Sequence, residues 1–226
     1  MNNPIRYKDP DGRDGMVTGS GTREDPYIIT ANYYYQNGSL NQQQTKGLNS
    51  AIDSYNKSGG KNGVEVKNAD GSTSYVKYNL STQGVDNVAS AVTGDIFTEV
   101  DGQDISYGNA LGTEANKGGS GDEFGSANGW HVDINPANIA EGIEKGFNGS
   151  KLIEATFVHE IGHNLGLDHD DNTSIMQKVE QQIISNQLGS ASTFYSYPSI
   201  DKKGVQIMTN RINAPRVGPL GIIRTK

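Results

Sequence analysis

Three of the chain's four histidines, His159, His163 and His169, fall in the stretch HEIGHNLGLDHD at 159–170. On a helix, positions i and i+4 lie on one face, one turn apart. His159 and His163 can therefore turn their imidazoles toward one point. Glu160 sits about 100° round the same helix from His159, close enough to address what that point holds. Gly166 follows three residues after His163, where a left-handed glycine can end the helix and swing the chain away. That turn returns His169 to the same point. Three neutral imidazoles with a fourth position open make a catalytic zinc site, whereas structural zinc sites are closed by four protein ligands. The competing reading is a helix with two surface histidines and a salt-bridging glutamate. HExxH alone separates the two poorly; the added glycine, third histidine and aspartate at fixed spacing favour the metal.

The chemistry of such a site is hydrolytic. Zinc held by three neutral ligands keeps its positive charge and lowers the pKa of bound water toward about 7. Glu160 is placed to accept that water's proton as general base and to pass it to a leaving amine. The metal stabilises the oxyanion.

The full pattern HExxHxxGxxHD resembles the metzincin signature. Met176, in Thr173-Ser174-Ile175-Met176, arrives seven residues after His169 and is the candidate for the methionine turn that metzincins carry beneath the zinc. HNLGLDHDD is closest to the reprolysin/adamalysin branch, while the short step to Met176 is more like the matrixins, so the branch stays open. The resemblance implies an α+β fold. In it a twisted, mostly parallel sheet carries an edge strand over the cleft, and the zinc helix lies beneath. A small irregular C-terminal subdomain with a closing helix completes it. It also implies one catalytic Zn2+ on His159, His163 and His169, and a protein or peptide substrate. The Asp170 carboxylate could take a hydrogen bond that fixes the local turn, next to Gly166, or orients a ligand ring. Tyr195 or Tyr197 could donate a hydrogen bond to the transition state, although that family's tyrosine comes two residues after the methionine, where this chain has Lys178.

The elements that must position these residues follow from local pattern. Residues 26–35, PYIITANYYY, are β-branched and aromatic and read as a strand. Residues 41–57 place Leu48, Ala51, Ile52 and Tyr55 at helical spacing. Alternation on either side of Asn68-Ala69-Asp70-Gly71 signals a hairpin. Residues 85–97 are apolar and ambiguous. Residues 106–115 suggest an edge strand, with the cleft's upper rim at about 107–113, followed by a glycine-rich loop at 116–128 and a strand at 130–134. His131, the fourth histidine, reads as a strand residue on a solvated face. Ser150 is a plausible N-cap for the zinc helix. Leu152, Ile153, Phe157, Val158, Ile161 and Leu165 give that helix a broad apolar surface, so it should be central and buried. The chain is polar from Met176 to Gln187, and 199–213 suggests a closing helix.

Composition limits the partners. A net charge of −7 without a basic stripe argues against nucleic acid, and zero cysteines exclude disulfides. No apolar run is long enough for a membrane span. At the N-terminus, Asn2-Asn3-Pro4-Ile5 and then Asp9-Pro10-Asp11-Gly12-Arg13 resemble the end of an RHS-repeat core. That resemblance implies the C-terminal toxin domain of a larger exported bacterial protein, delivered to a target cell without a signal peptide of its own. It also implies a cognate immunity protein as partner. The expected layout is an RHS-type leader at 1–15, a Gly/Ser/Thr linker at 16–25 and a metallopeptidase domain at 26–226, with subdomains of about 26–166 and 167–226. The function expected is that of a zinc-dependent endopeptidase. A metal-dependent amidase on cell-wall peptides, or a zinc-stabilised binding module without turnover, are the alternatives; Glu160 beside the metal argues against the last.

Overall fold

The computed structural model describes residues 15–68, 70–98, 104–113, 124–128, 130–178, 180–185 and 191–213. The RHS-like motif, most of the glycine-rich loop and the tail from Pro215 lie outside them.

The elements run β1 (Met16–Thr18), β2 (Tyr27–Gln36), α1 (Gln42–Lys57), β3 (Val64–Lys67), β4 (Thr73–Val85), α2 (Val88–Gly94), β5 (Ile96–Thr98) and β6 (Asp104–Ser106). Then come β7 (Gly108–Gly112), β8 (Gly125–Asn128), β9 (His131–Ile134), α3 (Pro136–Glu144), α4 (Gly149–Asn164), β10 (Glu180–Ser185), β11 (Ala191–Ser196) and α5 (Lys202–Asn213). The main sheet is ordered β3-β4-β2-β7-β9-β8. Its spine, β4-β2-β7-β9, is parallel, and β3 and β8 close the two ends antiparallel. Strand β2 is the hub. One of its edges pairs with β4 along its whole length; the other is shared, with β1 opposite Ile28–Thr30 and β7 opposite Asn32–Tyr35. Met16–Thr18 is therefore built into the sheet, where a linker was expected.

Strand alternation sorts β2 into two faces. Ile29, Ala31 and Tyr33 are fully buried. They point toward a layer made by α1 and α4. Helix α4 carries apolar residues on nearly every side, and a helix of that kind belongs in a core: Leu152, Phe157 and Ile161 have no exposed surface. Gly47 lets the two helices approach closely, since a Cβ there would lie 2.3 Å from Ile153 Cγ2. Tyr55 Oη of α1 donates to the Val158 carbonyl at 2.7 Å, fixing α4 one residue before His159. On the opposite face, Asn32 and Tyr34 both donate to the Asp95 carboxylate, at 2.8 and 2.6 Å, and hold the end of α2.

Two expectations need correction, and two elements were not foreseen. Strand β7 is interior, flanked by β2 and β9, with Asn109, Ala110 and Leu111 buried; on that side of the sheet the outermost strand among the described residues is β8, in place of the edge strand expected at 106–115 with its rim at about 107–113. The α4 N-cap is Asn148, whose side chain accepts from the Lys151 N–H at 3.0 Å, in place of Ser150. After Met176, β10 and β11 pair as an antiparallel hairpin. Helix α3, capped by Asn135 with Pro136 in its first turn, was not expected at all.

Candidate metal centre

Helix α4 presents His159 and His163 one turn apart and then stops at Gly166. The stop is a Schellman closure: Gly166 N–H donates to the His163 carbonyl at 2.8 Å and Leu167 N–H to the Gly162 carbonyl at 2.9 Å. Gly166 has φ +93°, in the region where a side chain is strained. The chain then enters a short 3-10 turn, 169–171, that carries His169. Asp168 and Asp171 close this turn. The Asp171 carboxylate accepts from Asp168 N–H at 2.6 Å, and Asp171 N–H donates to the Asp168 carbonyl at 3.0 Å.

The result is a compact triangle. The Nε2 atoms of His159, His163 and His169 lie 3.1, 3.1 and 3.2 Å from one another. Tetrahedral zinc with bonds of about 2.0–2.1 Å wants ligand nitrogens about 3.3 Å apart, so the cluster is close to metal-ready spacing. The tautomers agree. His159 Nδ1 lies 3.0 Å from the Ile175 carbonyl and His163 Nδ1 lies 2.9 Å from the Leu167 carbonyl. A carbonyl only accepts, so both Nδ1 atoms carry the proton. Both Nε2 lone pairs then face each other with no proton between them, an arrangement that a cation relieves. Burial, and then the neighbouring imidazoles, push the His159 pKa down to about 3. Burial lowers that of His163 as well, against the opposing effect of its Leu167 hydrogen bond. Both rings are thus held neutral, as ligands must be.

These shifts fix a pH dependence. Below the ordinary histidine value of 6.5 the unfolded chain takes up protons that the folded, metal-free His159 refuses until about 3. Stability therefore falls as pH drops through that window. Thermal unfolding of the metal-free protein should show a declining midpoint from pH 6.5 downward; a flat profile would contradict the buried, neutral state.

Beneath α4 runs the turn 173–176. Met176 N–H donates to the Thr173 carbonyl and to Thr173 Oγ1, both at 3.2 Å. The Asp201 carboxylate, at the start of α5, accepts from Ser174 N–H and, at 2.6 Å, from Gly204 N–H. The Ile175 carbonyl that orients His159 is thus anchored from behind. Gly162 makes room for the turn: a Cβ there would lie 2.6 Å from Ile175 Cγ2 and 2.7 Å from Met176 Cε. Neither Gly162 nor Asp201 was singled out from sequence.

Glu160 is buried beside the triangle, 6% exposed. Edge strand β8 passes directly over it, where a Cβ on Gly125 would lie 2.8 Å from Glu160 Oε1. Met176 lies under the helix, also buried. Two expected roles do not fit the geometry. Asp170 is exposed, and the carboxylates that shape the turn belong to Asp168 and Asp171. Tyr197 Oη accepts from the Asn148 N–H at 3.3 Å, at the far end of α4, roughly 16 Å of helix from His159. Tyr195 is in β11 opposite Gln181, and its side chain is outside the described residues. His131 is exposed, its ring tilted against that of Trp130, and it is not one of the three clustered histidines.

A family model settles the ancestry: the reprolysin-type model of metallopeptidase family M12 matches residues 28–217. The chain belongs to metallopeptidase family M12. No curated protein and no solved structure matches it. As an M12 member it is a metzincin-like zinc metallopeptidase, and the three-histidine cluster is the group in it able to hold a metal among the described residues. No helix in the described residues of this M12 domain is long and apolar enough to cross a membrane.

Proposed function

We propose that this M12 domain is a zinc-dependent endopeptidase in which Glu160 is the general base. The observation that carries the reading is the buried Glu160 carboxylate, one position from a ligand and beneath an edge strand. Zinc on the three Nε2 atoms would supply a Lewis acid and water of lowered pKa. The chain's own residues do the rest. Glu160 takes the proton from the attacking water and returns it to the leaving amine. Strand β8, outermost on its side of the sheet among the described residues, would offer its edge to an extended peptide, whose main chain pairs with it. Met176 and Ile175 form the floor that keeps His159 in place.

The opening motif supports a setting as the toxin part of a larger exported bacterial protein, with a cognate immunity protein covering the site before delivery. The metzincin resemblance supports a layout of two subdomains, about 26–166 and 167–226.

A substrate panel tests the reading against a cell-wall amidase. Incubated with unfolded protein chains and, separately, with cell-wall peptides, the domain should release new α-amino termini from the former alone. Release from the cell-wall peptides only would overturn it.

A further inference from the structure

Asn164 follows His163 directly and ends α4, and it is 1% exposed. Its Oδ1 accepts from Tyr33 Oη at 2.8 Å, and its Nδ2 donates to Asn109 Oδ1 at 2.9 Å. Tyr33 and Asn109 face each other across the parallel pair β2–β7, and both are fully buried. The side-chain amide therefore straddles two adjacent strands of the sheet.

The hydrogen-bond partners orient both amides. Asn109 Nδ2 donates to the backbone carbonyls of Asn32 and Tyr107, at 3.3 and 3.4 Å. Carbonyls only accept, so Asn109 must turn its oxygen toward α4. That oxygen requires a donor, which is Asn164 Nδ2. The remaining Asn164 oxygen then takes the tyrosine proton. Flipping either amide would set two acceptors or two donors together in a dry interior, where such mismatches are costly.

We propose that Asn164 is a positioning residue for the metal site: gripped by Tyr33 and Asn109, its amide sets the rotation of the last turn of α4 and thereby the direction of the His163 ring. This rests on the three-histidine metal reading. The physical reason is adjacency. One peptide unit joins the clamp to His163, and the Schellman closure that sends the chain toward His169 uses the His163 carbonyl. A small rotation of this turn would move two of the three ligands. Ordinary helix packing tolerates such a rotation; a directed amide between two strands does not.

The test compares the whole protein with Asn164→Ala, Asn164→Asp and Tyr33→Phe. The aspartate keeps the shape but sets an acceptor against Asn109 Oδ1. Tyr33→Phe keeps the ring and removes one hydrogen bond, so it serves if the Asn164 variants do not fold. Zinc affinity is measured by competition with a chelator, and the visible spectrum is recorded after cobalt(II) loading, at a temperature where circular dichroism shows each variant folded. Zinc binding should weaken about tenfold or more, as for other groups that orient ligands, and the cobalt bands should shift. Folded variants with wild-type zinc affinity and cobalt spectrum, differing only in melting temperature, would overturn the proposal. A wild-type protein that binds neither metal would instead sink the metal site itself.

Discussion

Glu160→Gln should abolish peptide cleavage while leaving one zinc bound. The substitution keeps the shape of a side chain that is buried among Thr156, Gly125 and the helix. It removes the ability to take a proton, along with the negative charge, at nearly constant volume. General-base catalysis contributes typically 10²- to 10⁴-fold, so kcat should fall by about that factor. Zinc should stay, because no ligand atom changes. A chelator applied to the wild-type protein gives the complementary result, loss of both metal and activity, with recovery on adding zinc. Metal analysis beside the rate assay separates the two. A Glu160→Gln protein that cleaves at the wild-type rate would rule out the base; one that has lost zinc would show that Glu160 supports the site structurally.

Gly162→Ala should lower both stability and metal affinity. The added methyl meets Ile175 Cγ2 and Met176 Cε at 2.6 and 2.7 Å, closer than side-chain atoms pack. Met176 Cε is the far end of a flexible chain and can shift. Ile175 is stiffer, because its Cγ2 sits on a β-branched carbon. Overpacking of this kind costs about 1–3 kcal/mol. The displacement acts on the Ile175 carbonyl, which orients His159. Zinc titration and thermal unfolding of Gly162→Ala should therefore move together. Unchanged zinc affinity in a destabilised Gly162→Ala protein would show that the turn and the ligand are uncoupled.

What could be read from the chain alone follows a physical division. His159 and His163 were legible because helical spacing is local, and Gly166 because its conformation is needed whatever surrounds it. The strand at 27–36 and the helix α1 were legible for the same reason, with their own side chains carrying the period. The features that escaped depend on what approaches from elsewhere. Gly125 and Gly162 are ordinary small residues until an edge strand crosses Glu160 and a turn slides under α4. Asp168 and Asp171 look like solvated charges in a run of acids, and only the backbone of a 3-10 turn gives them a task. Strand β8, Gly-Ser-Ala-Asn, has no β-branched residue, so the edge strand was expected instead at 106–115, where β7 is enclosed by two neighbours. Hairpin β10–β11 is held by cross-strand pairing that a polar stretch does not advertise.

The floor beneath His159 is tied to the chain by Asp201 and Gly204, which come well after the last ligand. At about 5–20 residues per second, the ribosome exposes the three imidazoles a few seconds before the roughly 35 further residues that pin the turn. A nascent chain therefore has its ligands before it has a firm socket.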